Sequence, residues 1–222
     1  MKTLNVFNRI ALNGAGIILA LIVVSTSVKS QCPTDIHPIS GETGYVAWGG
    51  PYTDYGVLIP GTSCTMNITY CSRGVIGKIQ RYIEEIDSVS SGCDSLTWAS
   101  VILAAREYMF TSLATDPCGG GYTITVASVF TASCADMEIS PYYACKFCPG
   151  AYCAKQCDVC TDILTGQKVE SNCSFTQIGT ADCTTAPAGW PNLSVGSTLS
   201  NINSYPSSWL NQCFLDQSTC SN

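Results

Sequence analysis

Residues 75–86 read VIGKIQRYIEEI and residues 94–113 read DSLTWASVILAAREYMFTSL. The spacing of their apolar side chains decides the expected fold. In the first stretch Val75, Ile76, Ile79, Tyr82, Ile83 and Ile86 recur in steps of three and four. That spacing predicts an amphipathic helix with Lys78, Arg81, Glu84 and Glu85 toward water. In the second stretch Trp98, Ile102, Ala105, Met109 and Leu113 form one stripe, widened by Leu96, Leu103 and Phe110, with Asp94 as the expected cap. Arg106 and Glu107 interrupt this helix and exclude it as a membrane span.

The flanking segments change period. Gly44–Trp48 and Tyr55–Ile59 are expected as short strands separated by Gly-Gly-Pro and Pro-Gly turns. Cys64–Cys71 (CTMNITYC) alternates, with Met66, Ile68 and Tyr70 on one face. Asp116-Pro117-Cys118 ends the second helix, and Tyr122–Cys134 (YTITVASVFTASC) reads as a long strand. Asp162–Ser171 reads as a hairpin turning at Thr165-Gly166.

The chain opens with a targeting pattern. Lys2 and Arg9 precede an apolar run, Ala15–Val24, which is too short to span a bilayer. Val28 and Ser30 suit the −3 and −1 positions of a cut before Gln31. Removing 30 of the 222 residues leaves 192, the length of one domain. It also leaves seven basic against 16 acidic side chains, a net charge of −9. An acidic chain without a basic stripe is unsuited to nucleic acid, and no membrane span is expected after cleavage. The expected location is outside the cytoplasm: secreted, extracellular or periplasmic.

All 15 cysteines follow Gln31, a density typical of disulfide scaffolds in oxidising compartments. An odd total predicts one cysteine outside any pair, available for a bond to another chain. Residues 145–160 (CKFCPGAYCAKQCDVC) hold five of them, too densely for a hydrophobic core. Cys145, Cys148, Cys157 and Cys160 form two CxxC motifs, and four thiolates so spaced suit zinc or an iron–sulfur cluster. The oxidising compartment, and Cys153 between the motifs, favour disulfides and no cofactor. The metal site stands as the alternative.

Other chemistry has little to build on. The chain has one histidine, His37, in a proline-flanked loop, and no G-x-S-x-G elbow. Glu84, Glu85 and Asp87, Asp136 with Glu138, and Asp158 with Asp162 are acid clusters that suit a solvated face or, as a further alternative, a carboxylate-based hydrolase. Residues 183–222 hold one charged side chain, Asp216, and spaced aromatics, among them Trp190, Tyr205 and Trp209, that would anchor the tail or stack on carbohydrate. Asn67, Asn172 and Asn192 occupy Asn-x-Ser/Thr sequons.

The expected architecture is therefore a small disulfide-rich secreted α+β domain. It has short antiparallel strands, two central helices and a cysteine-dense C-terminal third. Residues 1–30 are a cleaved signal peptide, 31–183 the domain, and 184–222 a polar segment tied by Cys213 and Cys220. The expected role is a non-enzymatic structural component or binding module, whose partners are a second chain through the odd cysteine or a carbohydrate or other surface ligand. Intact mass of the natively exported protein should correspond to a chain beginning at Gln31; a mass that includes residues 1–30 would overturn the cleavage.

Overall fold

Residues 75–86 form no helix. In the computed structural model they close a β-hairpin, and the expected pair of central helices reduces to one. Residues 32, 46–87, 89–119, 121, 125–138, 144–180, 183 and 214–215 are described, all within a unit that starts at Cys32. The targeting segment, His37, Trp190, Tyr205, Trp209, Cys213 and Cys220 lie outside them.

The hairpin pairs β2 (Thr65–Val75) with β3 (Lys78–Asp87) through a two-residue turn, Ile76-Gly77. Gly77 has φ 77°, a conformation that favours glycine. Two features of β3 imitate a helix. The register slips between Thr69↔Glu85 and Tyr70↔Ile83, which makes Glu84 the extra residue of a bulge. Ile83 and Ile86 then share a face although three residues apart, and both are fully buried. In addition β3 is covered on both faces, so Tyr82 and Gln80 are buried on the side opposite Ile83. A strand buried twice loses the alternation that would announce it.

The remaining elements are β1 (Gly49–Leu58), α1 (Trp98–Thr111), β4 (Thr125–Glu138), β5 (Ala144–Thr161), β6 (Lys168–Ile178) and β7 (Phe214–Leu215). They build one mixed sheet in the order β1-β2-β3-β4-β5-β6, with β7 paired to β4. The strands are long, not short, and the β3–β4 pair is parallel. Parallel neighbours require a crossover, and α1 supplies it. The start of β5 also returns to β3, pairing Ile86 with Cys145.

The second expected helix is present, three residues shorter at its start than Asp94 would allow. Thr97 is its N-cap, accepting from the Ser100 N–H, because Asp94 and Ser95 belong to a preceding turn. Trp98, Val101, Ile102, Ala105, Met109 and Phe110 bury its inner face. Each large side chain among them contributes roughly 1.5–3 kcal/mol. Leu103, expected to widen that stripe, is instead 56% exposed.

Opposite α1, the sheet carries an aromatic cluster. Trp48 packs edge-on to Tyr82 and Phe130, Tyr82 meets Tyr152, and the Arg73 guanidinium lies 4.3 Å over Trp48. Between these faces runs the cysteine-dense stretch. It was expected to be too crowded for a core, yet it is the longest strand, with Cys145, Cys148, Cys153, Cys157 and Cys160 all buried in it. Paired sulfurs are small and apolar enough to fill a sheet interior. The expected hairpin at Thr165-Gly166 joins β5 to β6, held by Asp162 Oδ1 accepting from the Leu164 N–H at 2.8 Å, a bond that lowers the Asp162 carboxyl pKa.

Four disulfides join these parts: Cys32–Cys71, Cys64–Cys93, Cys118–Cys160 and Cys157–Cys173. Cys148, Cys153 and Cys183 are disulfide-bonded as well. Each bond contributes about 2–4 kcal/mol by restricting the unfolded chain. Cys64–Cys93 draws the 3-10 turn Ser91–Cys93 against the start of β2, so closely that a Cβ on Gly92 would strike the Ser63 carbonyl. Gly92→Ala should therefore lower stability by about 1–3 kcal/mol. Gly74→Ala, which meets open space, should stay within about 0.5 kcal/mol in urea unfolding with disulfides intact.

Candidate functional site

The outer face of α1 and the end of β1 enclose a groove of about 370 Å³. Leu58, Pro60, Leu103 and Ala104 supply its apolar carbon, and Ser100, Glu107, Tyr108 and Thr111 its polar rim. Leu58 and Leu103 are more than half exposed there. Helical spacing explains the helix wall: residues 100, 103, 104, 107, 108 and 111 lie along one side, three and four apart. Apolar walls with a few polar groups at the rim suit a ligand that presents an apolar group.

Two polar clusters flank the groove, each reached by a rim residue. Tyr108 leads to the first. Its hydroxyl hydrogen-bonds Asp54, and the Tyr70 hydroxyl approaches the same carboxylate at 3.5 Å. Burial raises both phenol pKa values, and the Asp54 charge raises them further. Arg81 lies 5.0 Å over the Tyr70 ring and donates to the Met109 carbonyl at 3.0 Å and to Ser112 Oγ. Burial lowers the Arg81 pKa, against the pull of Tyr70 and Asp54. Its Nε is buried without a hydrogen-bond partner among the described residues.

Glu107 leads to the second cluster. Lys155, on β5, donates to Glu107 Oε1 at 3.1 Å and to Glu170 Oε2 at 2.6 Å, and lies 4.7 Å over the Phe110 ring. Burial lowers the lysine pKa, but the two carboxylates outweigh it and hold the ammonium above its ordinary value. Burial raises the Glu170 carboxyl, and Glu107 beside it adds to that, while Lys155 opposes. Of the two acids only Glu107 lines the groove, so no carboxylate pair opens on it.

The structure does not bring the four CxxC cysteines together. Cys157 is bonded to Cys173 and Cys160 to Cys118, and Cys148 is disulfide-bonded too. Cys145 is fully buried near the other end of β5. The strand from Cys148 to Cys157 spans roughly 30 Å of extended chain. A different set gathers: Cys157, Glu170 and Cys173 place ligand-type atoms within 4.8 Å of one another, but both sulfurs are consumed by their disulfide. A metal needs thiolates.

The acid clusters read from the sequence fall on strands and at a turn, Asp136 and Glu138 on β4. Glu84, Glu85 and Asp87 fall on β3 and not on a helix face. Asp158 accepts from Asn172 at 2.7 Å, and Asp162 shapes the hairpin turn. The groove and its two clusters were missed because their members lie on β1, β2, β3, α1, β5 and β6. One signal was available: the charged pair Arg106 and Glu107 in a mostly apolar helix needs partners. No family model, curated protein or solved structure matches the chain. Among the described residues no helix is long and apolar enough to cross a membrane.

Lys155 yields a pH prediction. Its folded pKa lies above the unfolded one, so the protonated lysine stabilises the fold below the lysine range, and that contribution is lost as pH rises through the folded value. Lys155→Met should remove this alkaline decline, seen as a flatter urea midpoint against pH than in the wild type.

Proposed function

We infer that this protein is a non-enzymatic, disulfide-stabilised binding module, secreted or displayed at the cell surface. Its ligand presents an apolar group to the groove between β1 and α1. The observation that carries this reading is the groove itself, which exposed Leu58 and Leu103 line together with Pro60, Ala104 and a polar rim. Apolar walls supply most of the binding free energy at such sites, and a few polar groups fix orientation. Ser100, Thr111, Tyr108 and Glu107 are placed for that second role.

Export is supported by the targeting pattern of residues 1–30 and by cysteines held as disulfides, which persist in oxidising compartments. A rigid framework suits binding, since walls that are already ordered lose little entropy when the ligand arrives. Hydrolysis by paired carboxylates is the weaker reading, because Glu170 does not line the groove and is engaged by Lys155.

The test uses an apolar fluorescent dye as the probe. Dye binding should fall at least several-fold in Leu103→Asp, whose exposed position keeps the change in stability within about 0.5 kcal/mol. Equal dye binding by wild type and a folded Leu103→Asp would overturn the groove as the site.

A further inference from the structure

The structure separates the two sequons that it describes. Asn67 lies on β2, an interior strand between β1 and β3. It is half-buried, its Oδ1 accepts the Gly56 N–H at 3.1 Å, and the Thr69 hydroxyl of the same sequon is engaged by Thr53 Oγ1 at 3.0 Å. Asn172 lies on β6, the last strand of the sheet order. Asn172, Cys173 and Ser174 are all exposed.

Local geometry lifts Asn172 out of the strand. The β5–β6 register jumps from Gln156↔Ser174 to Asp158↔Ser171, so Asn172 and Cys173 together face one residue, Cys157. This is a bulge, and Asn172 takes φ 50°, the left-handed region that asparagine tolerates better than most side chains. The Cys157–Cys173 disulfide pins the bulge from its other side. The Asn172 amide nitrogen donates one proton to Asp158 Oδ2 at 2.7 Å, which leaves its second N–H unassigned among the described bonds.

We propose that Asn172 is an N-glycosylation site and that its glycan shields the β6 edge of the sheet. This rests on the export reading above. The donor is a saccharide carried on a polyisoprenyl pyrophosphate. The bond from its anomeric carbon to the pyrophosphate oxygen breaks, and a bond from that carbon to Asn172 Nδ2 forms. The lipid pyrophosphate leaves with the electron pair, and Nδ2 gives up one of its two protons. The amide keeps the other, so the glycosylated side chain can still donate to Asp158. Among the described residues β6 pairs only with β5, which makes it the last strand of the described sheet and the place where a further strand could add. A bulky hydrophilic group at the middle of that edge blocks such pairing.

Protein recovered outside its native cells should be digested after enzymatic removal of N-glycans in heavy-oxygen water. The expected peptide carries a heavy-oxygen aspartate at position 172. Recovery of that peptide from exported protein with an unmodified asparagine would overturn the glycan while leaving export intact; retention inside the cell with an unmodified asparagine would overturn both. Ser174→Ala should lower the intact mass by one glycan without touching the Asn172–Asp158 bond, and should increase self-association. A folded Ser174→Ala lighter only by the serine oxygen would also sink the assignment. Asn172→Gln provides the same readout should Ser174→Ala fail to fold.

Discussion

Met109 and Phe110 of α1 are fully buried against the sheet, and the described core is arranged around that contact. A parallel β3–β4 pair cannot form without a crossover, and a crossover helix is held only if its inner face is buried. The helix also receives the polar anchors of the sheet. Arg81 of β3 reaches its carbonyl end at Met109 and Ser112, and Lys155 of β5 covers the Phe110 ring while bonding Glu107. With the inner face so fixed, the outer face is left to form the groove wall with Leu58.

The disulfides act on what the helix does not hold. Cys64–Cys93 closes the chain where it leaves the hairpin for the crossover, and Cys118–Cys160 closes it where it returns toward β4. Cys157–Cys173 ties the edge strand β6 to β5. The disulfides thus add unfolded-state restriction to a core that already joins α1 to the sheet. The same bonds occupy most of the sulfur that could otherwise serve a metal.

Several elements were legible from sequence because a local rule governs them. The apolar stripe of α1 repeats over four turns, long enough for helical periodicity to be unambiguous. The β5–β6 turn follows from Asp162 and Gly166, whose side-chain bond and positive φ are local properties. The Cys64–Cys71 alternation likewise emerges as β2. Residues 75–86 misled because a bulge at Glu84 and burial on both faces produce three- and four-residue spacing in a strand. Cysteine density misled in the same way at β5, since pairing partners far along the chain turn polar-looking thiols into core.

By itself the sequence determined the cysteine content, the acidic charge, one helix and the turn at Thr165-Gly166, all of which depend on composition or on neighbours within a few residues, whereas the expected Gly49-Gly50-Pro51 turn lies within β1. Only the tertiary structure decided which cysteines pair, that residues 75–86 are a hairpin turn and the strand after it, and that Leu58 and Leu103 line one groove with Tyr108 and Glu107. Those outcomes depend on contacts between residues tens of positions apart. Such contacts are set by the burial of whole faces, and no short window of sequence records them.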